Sequence, residues 1–221
     1  MELYDVMRTT FAARDFTDEP VPDAVIHRIL EQARFAPSGG NRQPWRVIVV
    51  RDPTTRDALV PLIEPTMRRY LAQVQAGEAP WNSIHPTRLS AAELAATAAP
   101  VALIRKLTHA PVLVLVFVDL AYVASFDSAL DRVGVISGAS IYPFVWNILL
   151  AARNEGYGGT LTTFAAGQEP AVQSLLGVPA HLALAAMLPL GRPVKQLTRL
   201  RRAPVEAFAM LERWGGPPLP G

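Results

Sequence analysis

"FAPSGGNRQPW", residues 35–45, is the stretch whose reading decides the fold. Upstream of it Ile26, Ile29, Leu30 and Ala33 recur at helical spacing, and Pro22 followed by Asp23 supplies a first turn, so an amphipathic helix leads into it. Pro37 biases its neighbour away from helix and Gly39 and Gly40 tolerate positive φ, so the helix must stop there. Downstream, "WRVIVV" (45–50) is a β-branched run of strand length. The stretch is therefore a helix-to-strand junction. Ser38, Gly39 and Gly40 expose backbone N–H groups with little side-chain obstruction, and the amides of Asn41 and Gln43 each offer a donor and an acceptor. Two readings stand: a helix C-cap followed by a turn, or a loop that reads the edge of a polar heterocycle or clasps an anion.

Outward from this junction the chain alternates helical and extended patterns. Leu3, Val6 and Met7 predict a first helix. Residues 51–110 carry helical spacing at Met67, Tyr70, Leu71 and Val74, then a mixture of Pro, Trp, Asn, Ser and His; the span 65–110 reads as an excursion or lid. "APVLVLVFVDL" (110–120) is apolar on both faces and so predicts a central strand. "GASIYPFVWNILLAARNEG" (138–156) is apolar almost all round and predicts a buried helix, with Pro143 in its first turn and Gly156 as its stop. "YGGTLTT" (157–163) opens a third strand, a short helix with Pro170 early and Gly177 late follows, and "HLALAAML" (181–188) makes a fourth strand. An arginine-bearing segment, "GRPVKQLTRLRRAP" (191–204), leads to a closing helix through Phe208 and Leu211 and a loose tail at 215–221. Helices flanking a short mixed sheet make the class α+β, in one domain over residues 1–221.

Composition excludes several functions. Half of the 221 residues are hydrophobic and 18% are charged, enough apolar material for one sizeable core. A net charge of +2, even with a sequence pI of about 9.2, is no footprint for nucleic acid or a membrane surface. Only Lys106 and Lys195 are lysines, so the positive charge is nearly all arginine, the side chain suited to bidentate phosphate recognition. With no cysteine there is no disulfide, thiolate metal site or thiol nucleophile. His27, His85, His109 and His181 stand singly on different segments without metal-ligand spacing. "GVISG" (134–138) misplaces Ser137 for a nucleophile elbow, and no P-loop or G-x-G-x-x-G follows a predicted strand. The first ten residues lack a signal peptide's basic start and apolar run, and "VLVLVFV" (112–118) is too short to span a bilayer, so a cytoplasmic, membrane-free protein is expected. Any redox or transfer chemistry must then come from an organic cofactor. Arg14, in "FAARDF" (11–16), reads either as a surface arginine or as an anion ligand. Arg199, Arg201 and Arg202 read either as a solvated run or as a phosphate clamp.

Taken in order, "RTTFAARDF", "ARFAPSGGNRQPWRVIVV", "NILLAARNEGYGGTLTT", "LGVPA" and "LPLGRPV" with "RLRRAPVE" resemble the FMN-dependent nitroreductase family along nearly the whole chain. The Pro-Ser-x-x-Asn-x-Gln-Pro-Trp block is the most specific match. The resemblance implies a nitroreductase-like α+β fold in an intertwined homodimer, with two FMN molecules in clefts at the interface, each touched by both subunits. It assigns flavin contacts to Pro37, Ser38, Gly39, Asn41 and Gln43, and puts Arg14 at the pyrimidine side of the ring. Gly158, Gly159 and Thr160 would bring backbone close to the ring. The FMN phosphate would fall to Arg199, Arg201 or Arg202. Tyr70, Trp81, His85, Tyr142 and Phe144 would shape the acceptor pocket.

The implied activity is transfer of reducing equivalents from NADH or NADPH to a nitroaromatic, quinone or similar planar acceptor by a ping-pong mechanism, with the flavin carrying the chemistry and no obligatory acid or base. Alternatives are a specialised flavoenzyme of the same fold, for reductive dehalogenation or flavin breakdown, and a flavin-sequestering protein without turnover. One departure bears on these. The family's Arg-Arg-Ser-x-Arg motif corresponds here to Thr10, Phe11, Ala12, Ala13 and Arg14, so two phosphate-facing groups are lost and Arg8 or the C-terminal arginines would carry that charge.

Overall fold

A computed structural model describes residues 1–221. Its frame is a four-stranded sheet in the order β1 (Trp45–Val50), β2 (Val112–Asp119), β4 (Leu182–Gly191), β3 (Gly158–Gly159). All three strand pairs are antiparallel; the parallel component of the sheet is a single bridge, Ala12 to Gly159. Every residue of β2 is buried, as its run of apolar residues on both faces requires. Its pleat divides the core: Val112, Val114, Val116 and Val118 face α2 (Asp23–Ala33) and α6 (Tyr142–Asn154), whereas Leu113, Leu115 and Phe117 face α3 (Pro53–Gln75) and α5 (Val101–Thr108). The result is three layers, helix, sheet and helix. α1 (Leu3–Thr9), α4 (Ala91–Ala96) and α7 (Glu169–Leu176) complete the set. No helix is long and apolar enough to cross a membrane.

Several local expectations hold for the reasons that suggested them. α2 buries Val25, Ile26, Ile29 and Ala33. Pro143 lies in the first turn of α6, and Gly156 and Gly177 take φ of 84° and 66° just past their helices. Two expectations are corrected. The third strand lasts only two residues: Thr162 pairs again with Met187, but the continuing register sets Thr160 opposite Pro189, which has no N–H for the ladder. The closing helix through Phe208 and Leu211 is a 3-10 turn at Val205–Ala207, followed by a return in which Leu211 N–H donates to the Pro217 carbonyl and Leu219 N–H to that of Ala209. Val205 and Phe208 are exposed, so no core face rewards a longer helix.

α3 runs unbroken from the core into residues 65–75, with Pro61 and Pro65 inside it. Beyond it, residues 76–100 form turns and α4, pinned chiefly through Glu78. That carboxylate accepts from the Thr87 hydroxyl, the Arg88 N–H and the Gln73 amide, which together hold it below the usual carboxylate range.

Candidate active site

The junction that opened the sequence is a strained loop. Ser38 is extended, Gly39–Asn41 form a 3-10 turn, and Gly40, Asn41 and Gln43 take φ of 60°, 53° and 49°. For Asn41 and Gln43 that left-handed geometry costs energy, and local bonds hold it in place. The Ser38 hydroxyl accepts from Gln43 N–H (2.9 Å), the Ser140 hydroxyl accepts from Gly39 N–H (3.1 Å), and the Gln43 amide reaches Asn41 Oδ1 (3.3 Å). Pro37, Asn41 and Gln43 remain exposed, with the Gln43 amide turned onto Asn41.

A second constellation forms at the N-terminal motif. Ala13 N–H donates to Gly159 O (2.9 Å), which sets Arg14 beside β3. Arg14 is exposed, has no carboxylate partner, and its guanidinium donates only to Ala12 O at 3.3 Å. It lines an open cavity of about 440 Å³ with Tyr70, Trp81, Leu161, Thr162 and Thr163. Tyr70 packs edge-on to Phe164 (5.4 Å between centroids); Trp81, at φ 53°, donates its backbone N–H to Gln73 Oε1 (3.1 Å) and its ring lies under the Arg69 guanidinium (4.2 Å).

Gly158, Gly159 and Thr160 are buried, and the structure gives the glycines an internal reason. A Cβ on Gly159 would collide with Leu190 Cδ2 and lie 2.6 Å from Pro189 O; one on Gly158 would lie 2.8 Å from Pro193 Cγ. They permit close strand packing, and the residues that reach the cavity are the next ones, Leu161–Thr163. Sequence reading took "LTT" (161–163) only as strand and so missed them. It also missed Thr66 and Gly167, which face each other on the cavity wall across a contact too tight for any side chain at 167.

The basic C-terminal segment approaches the same region. Phe16 bridges Pro193, Val194 N–H donates to Asp15 O, and Gln196 Nε2 donates to Thr9 O (3.0 Å). Arg199, Arg201 and Arg202 are exposed and free of carboxylates, whereas Arg192 is committed to Glu19, whose carboxyl it holds below its ordinary value. The departed motif positions offer no free donor: Thr10 is buried and its hydroxyl donates to Val6 O (2.7 Å). Arg153, near the end of α6, donates from Nε to the Thr9 hydroxyl (2.9 Å) and adds a cation there.

The residues expected around an acceptor do not all share one cavity within the protomer. Tyr70 and Trp81 share the cavity with Arg14, but His85 is exposed in the turn capped by Asn82 and does not line it. Tyr142 lines a different cavity with Val118 and Ile141, at the N-terminal end of α6. Phe144 is 2% exposed and stacks on Trp45 at 4.7 Å, so it belongs to the core. A buried aromatic and a pocket aromatic look alike in a sequence.

The two constellations are far apart in one protomer. The loop abuts Ser140, just before α6, and β3 follows the end of α6, a 13-residue helix; at ~1.5 Å per residue that is a separation of about 20 Å. The sheet agrees: Trp45 pairs with Val118 and Val118 with Ala183 at one end of β4, and Gly159 pairs with Leu190 at the other.

An α+β frame here carries a donor-rich loop at one end of α6 and an unpaired arginine beside an aromatic-walled cleft at the other. The chain belongs to the nitroreductase family, whose model matches residues 7–192. It is 28% identical to human iodotyrosine deiodinase 1 over 93% of this chain and 66% of that protein, so it spans about two thirds of the length of such deiodinases. A Thermus thermophilus NADH dehydrogenase is 30% identical over 89% of each chain. Among solved structures, a nitroreductase-type protein of Desulfovibrio desulfuricans in complex with FMN superimposes with a TM-score of 0.67, 25% identity and coverage of 100% and 99%.

Proposed function

We propose that this chain is an FMN-dependent oxidoreductase that takes reducing equivalents from NADH or NADPH and passes them to a planar acceptor, a nitroaromatic or a quinone, in a ping-pong cycle. The observation that carries this reading is the cavity in which the unpaired Arg14 faces the aromatic walls of Tyr70 and Trp81. Bound FMN supplies the two-electron chemistry. The residues present fit such a group: the exposed side chains of Asn41 and Gln43 offer amide groups to the polar edge of a heterocycle, Arg14 offers positive charge where a reduced ring gathers negative charge, and Arg199, Arg201 and Arg202 offer unpaired cations to a phosphate. Tyr70 and Trp81 would shield the acceptor face from water and set the plane in which an acceptor lies.

The reading includes a homodimer. Loop 37–43 and Arg14 lie at opposite ends of α6, too far apart to grip one three-ring heterocycle, so one site would combine the loop of one protomer with the Arg14 wall of its partner. Leu3, Tyr4 and Met7 on α1 and Trp146 on α6 are exposed, an apolar face that a second copy would cover. Residues 1–221 would act as one domain in the cytoplasm, with 65–110 as its lid.

Similarity to the deiodinase favours one alternative, reductive dehalogenation of an aromatic ring at the same site. The test is the visible spectrum of the purified, FMN-loaded protein, repeated without oxygen after NADH and after NADPH, then with nitrofurazone, menadione or 3-iodotyrosine added. Bleaching by a nicotinamide and recovery with the first two are expected. Recovery only with iodotyrosine, or bound flavin that neither nicotinamide bleaches, overturns the reading in favour of dehalogenation or of sequestration; loss of the flavin when the reduced protein is then exposed to air indicates breakdown.

A further inference from the structure

We propose that Gln73 is the positioning residue of the acceptor cavity: with Glu78 it forms a buried latch that fixes the Trp81 indole as a rigid platform for one flat ring. The proposal rests on the reading of that cavity as the acceptor site. The latch follows from how α3 ends. Gly77, at φ 71°, donates its N–H to Val74 O, and Glu78 N–H donates to Gln73 O (2.8 Å), the paired bonds with which a helix closes through a left-handed residue. This closure brings the Glu78 side chain back onto the last turn, where its carboxylate accepts from Gln73 Nε2 (3.3 Å). Gln73 is 2% exposed, and the other end of its amide, Oε1, accepts the backbone N–H of Trp81 (3.1 Å). The amide has one workable setting, because the Glu78 carboxylate can only accept and the Trp81 N–H can only donate.

Trp81 needs such a hold. Its φ of 53° lies in the left-handed region, which disfavours a bulky side chain, and it keeps that geometry only where its surroundings impose it. The ring lines the cavity with Tyr70 and carries the Arg69 guanidinium on one face, which leaves the other face to stack on a ligand. Glu78 also accepts from the Thr87 hydroxyl and the Arg88 N–H, so the same carboxylate ties the platform to the segment beyond it. An indole held in one orientation binds a flat ring without first having to be ordered.

Two measurements test this. In calorimetry on the oxidised, FMN-loaded protein without reductant, Gln73→Leu should weaken nitrofurazone binding about tenfold, the size of one lost buried hydrogen bond. In turnover the same variant should raise the KM for nitrofurazone and leave kcat unchanged. The Kd for FMN and the potential of the bound flavin should keep their parent values, because the latch bonds to neither loop 37–43 nor Arg14. Gln73→Glu sets two carboxylates against each other and should weaken binding likewise. Adding Glu78→Gln should restore it, since the exchanged side chains can remake the amide-to-carboxylate bond and still accept from the Trp81 N–H. Unchanged nitrofurazone binding in Gln73→Leu overturns the proposal, as does an equal loss of FMN affinity or a double exchange that fails to rescue. Nitrofurazone binding that follows the exchange, in a protein whose flavin neither NADH nor NADPH bleaches, keeps the latch and removes the oxidoreductase reading; turnover indifferent to the exchange removes the latch alone.

Discussion

At the scale of single residues, Arg14 and Gly159 are coupled by one hydrogen bond and do opposite kinds of work. Arg14 is a charge without a partner, held out into a cleft by the Ala13 N–H to Gly159 O bond. Arg14→Ala should lower the reduction potential of bound flavin by about 30 mV or more, equivalent to ~1.4 kcal/mol for a two-electron couple; an unchanged potential in a spectroelectrochemical titration removes Arg14 from its role. Gly159 is a packing residue. Gly159→Ala should cost about 2 kcal/mol of stability, since its methyl group would meet Leu190 and the Pro189 carbonyl; denaturant unfolding that matches the parent protein contradicts that account. Arg14 stood out in the sequence only through the resemblance of "RTTFAARDF" to the family's N-terminal motif, since taken alone it reads equally as a surface arginine. The reason for Gly159 was not legible there, because it lies in Leu190 and Pro189, some thirty residues away in the chain.

Among elements, the segment joining β2 to α6 depends on one carboxylate. Asp127 is buried, and its Oδ2 accepts from Val135 N–H (2.7 Å) and Arg132 Nη1 (2.8 Å). These bonds, the backbone N–H first, hold its carboxyl below the usual aspartate range. With the folded value depressed, the contribution to stability is complete above the unfolded value and is lost as pH falls through the folded one, below about pH 4. Proteolysis within 120–141 should therefore rise steeply with acid, and Asp127→Asn should show that susceptibility already at neutral pH. Resistance of this variant equal to the parent's would show that the loop is held by something else. The elements themselves were readable where local chemistry decides them. The prolines and glycines around α6 and α7 mark their ends, and the two-faced apolarity of β2 marks a central strand. β3 was overextended because its length is set by a proline on the neighbouring strand, and the closing helix because periodicity at Phe208 and Leu211 says nothing about whether a core lies beneath.

For the whole molecule, the sequence motifs placed loop 37–43 and Arg14 in one site, and nothing in their order along the chain told that they stand at opposite ends of a 13-residue helix. That span has a genetic consequence. If each catalytic centre borrows its loop from one copy and its arginine from the other, a subunit crippled in the loop (Asn41→Asp with Gln43→Ala) and one crippled at Arg14→Ala carry lesions that fall in different halves of every shared centre. Mixed and allowed to reassort, two inactive preparations should regain activity, up to about a quarter of the unaltered level, because half of the dimers are hybrid and each hybrid rebuilds one centre of two. Interallelic rescue of this kind is impossible for a centre built within a single polypeptide, and its absence from a verified hybrid would mean that each centre takes its loop and its arginine from the same chain.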